Sequence, residues 1–205
     1  NYLDMIKDRL YTSKADSAKR RSAQTTMFMI IDALVRIITP ILPFTSEEIW
    51  GYMPHRKGDE ALSVQLNSFP EYKVEFADKK LDGKWEKIID IKADVAKALE
   101  SARSEKLIGD SLQAKVTLYA DGEEFEFIKA NLKDIMTACI VSGLNADALG
   151  NAADGALDGE SVKGIKVKVN SADGTKCERC WMYSTTVGSN PEHPTLCDRC
   201  VRELK

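Results

Sequence analysis

Along the first fifty residues the apolar positions recur at helical intervals. Leu3, Ile6 and Leu10 fall at i, i+3 and i+7 within residues 2–11, the stripe of an amphipathic helix. A longer helix is predicted after Asp16 or Ser17. Its stripe of Met27, Ile30, Ile31, Leu34, Val35, Ile37 and Ile38 is wide enough for burial among other helices. Its first turns differ: Lys19, Arg20, Arg21, Ser22 and Gln24 are polar and mostly basic. Pro40 and Pro43 end it. Thr45-Ser46-Glu47-Glu48 then reads as a capping box that starts a short helix through Trp50.

The pattern changes further on. Residues 53–82 hold Pro54, Gly58 and Pro70 and predict an extended connection. A helix is predicted over residues 84–106, with Trp85, Ile88, Val95 and Leu99 on one side and charges on the other. Residues 114–120 alternate strictly and predict a half-buried strand. Asp121-Gly122 makes a turn, residues 123–132 a short helix, and the apolar run 135–141 a second strand. Residues 145–159 read as an Ala/Asp/Gly loop, and residues 162–169 alternate again through Ile165, Val167 and Val169. The middle of the chain is therefore a small α/β domain.

Composition bounds the class. The 205 residues are 43% hydrophobic and 30% charged, as in a soluble globular protein. No apolar run reaches the ~18 residues needed to span a bilayer, and the N-terminus is no signal peptide. The chain opens on Asn1 without an initiator Met and is helix-like at once, which suggests a fragment lacking its upstream partner. The net charge of −3 conceals an asymmetry. Residues 1–42 carry seven Lys/Arg against four Asp/Glu, and residues 110–161 carry three against ten. Such a distribution allows a basic surface at one end.

The strongest chemical signal lies near the C-terminus. Cys177-Glu178-Arg179-Cys180 is followed, after sixteen residues, by Cys197-Asp198-Arg199-Cys200. Two C-x2-C knuckles at this separation suit one tetrahedral zinc. The loop between them, rich in Gly, Pro, Ser and Thr, has too little apolar material to fold unaided. Structural zinc contributes apparent folding energies on the order of 10–16 kcal/mol in small modules. A pair of disulfides, a rubredoxin-like iron site and redox C-x-x-C pairs are the competing readings. Zinc is preferred because nothing marks the chain as secreted. Cys139 reads as a small core residue, and His193 as a weaker competitor for the metal.

No catalytic constellation is visible. His55 and His193 both sit in loops beside prolines, no Ser or Cys has a base in sequence context, and there is no phosphate-binding glycine loop. Lys14, Lys19, Arg20 and Arg21 form either a solvated helix face or a phosphate-contacting surface. Arg179, Trp181, Arg199 and Arg202 around the cysteines favour the second reading. Trp181 either stacks on an unpaired base or packs over the metal. Trp50 and Trp85 lie in helix stripes and are expected in the core.

Several stretches resemble a known family. Asp8-Arg9-Leu10-Tyr11-Thr12, Arg20-Arg21-Ser22-Ala23-Gln24, and residues 38–50 with their Pro-Phe-Thr-Ser-Glu-Glu-Ile-Trp run are similar to the anticodon-binding helical domain of class I aminoacyl-tRNA synthetases. The Asp-Arg-Leu-Tyr wording points to the isoleucyl branch. Residues 107–116 and 140–143 look like the segment that follows in the bacterial-type enzymes. The terminal cysteine motif is similar to the zinc finger they share with formamidopyrimidine-DNA glycosylases.

The resemblance implies an α+β chain of three parts. These are a truncated helical bundle over 1–75, a small α/β domain over 76–172 and a four-cysteine zinc finger over 173–205. It implies a cytoplasmic, tRNA-binding part of a ligase that grips the anticodon stem-loop of an isoleucine-accepting tRNA. One structural zinc would be held by Cys177, Cys180, Cys197 and Cys200. ATP and catalysis would belong to upstream domains of the same polypeptide, with neither membrane nor DNA as partner. Lys14, Lys19, Arg20, Arg21, Arg179, Trp181, Arg199 and Arg202 are the candidate tRNA contacts. The acidity of residues 145–159 argues against RNA contact there. The alternatives are the tail of a DNA-repair glycosylase and a zinc-stabilised protein-interaction module.

Overall fold

The computed structural model describes residues 2–204. The elements are α1 (Tyr2–Thr12), α2 (Ala18–Ile38), α3 (Pro43–Tyr52), α4 (Lys79–Ser104), β1 (Ala114–Ala120), α5 (Gly122–Ala130), α6 (Leu132–Cys139), β2 (Gly143–Ala148), β3 (Leu157–Asp158), β4 (Lys166–Ser171), β5 (Thr175–Lys176), β6 (Tyr183–Ser184) and α7 (Asp198–Arg202). Contacts divide them into two compact units. Residues 15–77 form one, and α1 joins everything from residue 78 onward in the other.

In the unit of residues 15–77, the Ser17 hydroxyl caps α2 by accepting the Arg20 N–H at 3.3 Å. The helix packs on α3 and on a turn over Val64–Leu66, burying Val35, Trp50 and Val64. The expectation of a wide buried stripe on α2 is corrected. Ile30, Leu34 and Ile37 keep 44%, 47% and 51% of their surface exposed, because α3 and the 64–66 turn cover only the Val35 side. The capping box at Thr45 is also corrected. The N-cap is Leu42, three residues before Thr45, and Pro43 stands in the first turn, where the missing N–H costs nothing. Within the helix the Glu47 carboxylate accepts from the Ser63 hydroxyl and, at 3.4 Å, from the Val64 N–H. Beneath α2 lies a buried charge network. Arg36 donates to Asp32 and Asp59, Arg56 reaches the other Asp32 oxygen at 2.8 Å, and the Arg36 guanidinium lies 5.0 Å from the Trp50 ring centre.

The second unit is built on a four-stranded sheet in the order β2-β1-β4-β3. The central strand β1 pairs in parallel with β2 through the crossover α5–α6, and antiparallel with β4. Its alternation works as the sequence suggests. Val116 and Leu118 are fully buried, while Lys115 and Thr117 are half-exposed on the other face. Helix α4, capped by Asp78 accepting from the Lys80 and Leu81 N–H groups, supplies Ile88, Ile91, Val95 and Leu99 to the same core. Trp85 packs half-buried against it.

Two expectations fail here. Residues 135–141 are not a strand: α6 places Ile135, Ala138 and Cys139 at i, i+3 and i+4 on its buried face. A short apolar run satisfies either period, and only the packing decides between them. The helix closes at Ile140 in the left-handed region, φ 55° and ψ 52°, and the Ile140 N–H donates to the Met136 carbonyl. The supposed loop from residue 145 begins instead as strand β2, in register from Lys115↔Gly143 to Ala120↔Ala148. Its Gly, Asn, Asp and Ala residues have poor strand propensity, so the ladder of β1 holds them extended. No helix among the described residues is long and apolar enough to cross a membrane.

Candidate metal centre and nucleic-acid interface

The C-terminal module starts from a hairpin, β5 paired with β6. Between these strands the first knuckle turns back on itself: the Trp181 N–H donates to the Cys177 carbonyl at 2.8 Å, and the Cys177 N–H to the Met182 carbonyl at 2.9 Å. Closing this turn puts Trp181 in the left-handed region, φ 64°. The second knuckle is a helix start. Cys197 is the N-cap of α7 and Cys200 lies in its first turn.

Four sulfurs converge. The Sγ atoms of Cys177, Cys180, Cys197 and Cys200 all lie within 4.8 Å of one another, with Cys180 and Cys197 at 3.9 Å. A tetrahedral ion with Zn–S bonds of ~2.3 Å holds its sulfurs ~3.8 Å apart. No cysteine is disulfide-bonded. The donor set also fits electrostatically. Burial pushes the Cys177 thiol up, but backbone N–H groups of Cys180, Cys197 and Arg179 outweigh it and bring it down to about 6. Burial and the neighbouring Cys180 and Cys197 push Cys200 up. Four crowded thiols of this kind ionise together only around a cation. Among the described residues, Val187 and Leu196 are the apolar side chains that pack against the cysteines. The donor set fits one structural zinc. His193 stands outside it, its backbone N–H donating to the Asn190 carbonyl.

The module is clamped onto α1. The Arg199 guanidinium forks onto Asp8, with Nη1 to Oδ2 at 2.6 Å and Nη2 to Oδ1 at 2.8 Å. Arg179 Nη2 donates to the Thr12 carbonyl at 2.9 Å, one of the unsatisfied carbonyls at the end of α1. Glu203 accepts the Lys14 N–H at 2.7 Å. On the sheet side, the Ser142 hydroxyl accepts the Tyr183 N–H at 2.8 Å and donates to the Leu112 carbonyl at 2.5 Å. Asp8, Thr12, Glu203 and Ser142 were invisible as partners in the sequence. No local signal joins residue 8 to residue 199.

The candidate RNA contacts fall into separate groups. Lys14, Trp181 and Arg202 are exposed in the unit that carries the metal centre. Trp181 is 60% exposed, with the Lys176 ammonium 5.3 Å from its ring centre, so the ring does not serve as a cover for the metal. Arg179 and Arg199 are half-buried and turned to α1. In the unit of residues 15–77, Lys19 and Arg21 are exposed on the first turns of α2 and Arg20 is half-buried. Arg21 also donates to Gln24 at 3.2 Å.

The structure thus defines a protein built of a helical segment with a basic first turn and a four-cysteine module with an exposed aromatic. Comparison with known proteins makes the class specific. The family model described as the anticodon-binding domain of tRNA ligase matches residues 1–118, and that described as the zinc finger found in FPG and IleRS matches residues 174–202. The chain belongs to the anticodon-binding domain family of tRNA ligases.

It is similar to an isoleucine–tRNA ligase of Moorella thermoacetica, 48% identical over 205 residues that make up 100% of this chain and 22% of the relative. An isoleucine–tRNA ligase of Desulforamulus reducens is 48% identical over 204 residues, again 100% and 22%. One from Caldanaerobacter subterraneus is 47% identical over 205 residues with the same coverage. The chain thus spans about a fifth of the length of these relatives. A glycosylase tail is not favoured, since the match that covers residues 1–118 is to tRNA ligases.

Proposed function

We propose that this chain is the tRNA-binding C-terminal part of an isoleucine–tRNA ligase, gripping the anticodon stem and loop of an isoleucine-accepting tRNA in the cytoplasm. The observation that carries this reading is the order of two matched modules in one chain, anticodon-binding domain and then zinc finger, shared end to end with isoleucine–tRNA ligases. Activation of isoleucine with ATP and its transfer to tRNA belong, on this reading, to upstream domains of the longer polypeptide.

The chain's own chemistry is recognition. Lys14, Lys19, Arg20, Arg21 and Arg202 supply positive charge for backbone phosphates, displacing condensed counterions. Trp181 offers an exposed ring for stacking on an unpaired base. Arg179 and Arg199 support this surface from behind, because their donors are engaged with α1. The zinc, when bound, supplies the folding energy of the module and no chemistry on the RNA.

Fluorescence anisotropy tests the reading, with the chain titrated into isoleucine tRNA and an anticodon-altered tRNA at two salt concentrations. Preference for the native anticodon is the expected result. Equal binding to both, or none, overturns anticodon recognition by this chain.

A further inference from the structure

Arg199 occupies an unusual position. In sequence it lies between two zinc ligands, two residues past Cys197 and one before Cys200. Its side chain reaches a helix 191 residues away. Its fork is spent on both oxygens of Asp8. Asp8 is itself tied into the end of α1, where the Thr12 hydroxyl donates to Asp8 Oδ1 at 3.0 Å and to the Asp8 carbonyl at 2.8 Å. Two more module residues close the same helix end, Arg179 on the Thr12 carbonyl and Glu203 on the Lys14 N–H. Thr12 and Ser13 are buried there. The zinc module thus contributes a donor to the C-terminal end of α1.

From these contacts we infer that Arg199 is a positioning residue that couples zinc occupancy to the seating of α1, through its fork on the Asp8 carboxylate. A zinc held by Cys197 and Cys200 fixes the knuckle that carries Arg199 between them. The guanidinium then presents a fixed fork to Asp8, a geometry that a lysine cannot reproduce. Without the metal the two knuckles lose the ion that holds them together, and Val187 and Leu196 are the apolar side chains left packed on the cysteines, so Arg179, Arg199 and Glu203 leave α1 together. The last turn of α1 then loses these contacts, although Ile6 and Met5 still anchor the helix to the core. Coupling of this kind is reciprocal. If zinc seats α1, then α1 strengthens zinc binding by the same factor. The inference stands independently of tRNA binding.

The test uses the whole 205-residue chain under reducing conditions. Zinc affinity is measured by competition with a chromophoric chelator, and amide exchange is followed over residues 9–14. Chelation of the unaltered chain is expected to raise exchange in this segment while leaving β1 protected. Asp8→Asn, a change on α1 remote from the sulfurs, is expected to keep one zinc per chain but weaken its affinity by about tenfold, within the usual range for two coupled sites. Arg199→Gln is expected to do the same, and Arg199→Lys not to restore it. Asp4→Asn, on the same helix but away from the module, should change neither readout. Unchanged zinc affinity in Asp8→Asn overturns the coupling, even if Arg199→Gln binds zinc more weakly. So does a segment 9–14 whose exchange is insensitive to chelation.

Discussion

Asp94 shows how much one side chain organises. It lies within α4 and accepts three successive backbone N–H groups, from Glu160 at 3.0 Å, Ser161 at 2.9 Å and Val162 at 2.9 Å. The chain ahead of β4 is folded around this carboxylate. Gly159 has to be glycine for the same reason, since a Cβ there would stand 2.4 Å from the Val162 carbonyl oxygen and 3.0 Å from Asp94 Oδ2. Burial pushes the Asp94 carboxyl up, but the three N–H donors outweigh it and hold it below its ordinary value. A lowered carboxyl stabilises the fold fully above its unfolded pKa of about 3.9, and the contribution fades as pH falls through the folded value. Asp94→Asn should therefore cost about 2 kcal/mol in urea unfolding at pH 7, and the variant's stability should fall less steeply than the parent's below about pH 4. Equal slopes in acid would remove Asp94 from this role. In the sequence it is one polar residue among many on a charged helix.

At the scale of elements, charge performs two different tasks on α2. Near its end, Arg36 is buried between Asp32 and Asp59 and against Trp50. Burial alone pulls the Arg36 pKa down, and the two carboxylates hold it above its usual range. Arg36→Met leaves both acids short of a partner, and should destabilise the unit of residues 15–77 by about 3–5 kcal/mol. Trp50 fluorescence during denaturation reads this directly. At its start, Lys19, Arg20 and Arg21 point no charge into a core. Arg20 and Arg21 changed together to Ala should leave Trp50 unfolding in place while weakening tRNA binding. The slope of log affinity against log salt should become shallower by up to about two. An unaltered slope returns these residues to a merely solvated face. Periodicity located α1, α2, α4 and β1, because each is long or strictly patterned. It failed for α6 and β2, where eight and six residues are too few to separate competing periods or to outweigh neighbouring strands.

At the scale of the whole molecule, the sheet and the metal module draw on different sources of stability. The core of Ile88, Ile91, Val116, Leu118, Ile135 and Val167 is closed without the four knuckle cysteines, whereas the module's interior is those cysteines themselves. Cys197→Ser should thus unfold residues 174–204 and spare the sheet. In an NMR spectrum, amides of 177–200 should collapse toward random-coil shifts while those of β1 and β4 remain dispersed. Retained dispersion in the module would mean that zinc is not what orders it.

By itself the sequence singled out the four cysteines as candidate ligands, since two C-x2-C knuckles need only local turns to present their sulfurs. It determined β1 through alternation and the second helix start through Ser17. It also carried the family resemblance, which rests on residue identity. What only the tertiary structure decided was which arginines are available. Arg179 and Arg199 look in sequence like Arg202, but the first two cap and clamp α1 across more than 160 residues of chain. Spacing and periodicity act over a few residues, whereas an ion pair forms wherever folding brings its partners together. That distance in sequence is why the cap on α1 could be found only in three dimensions.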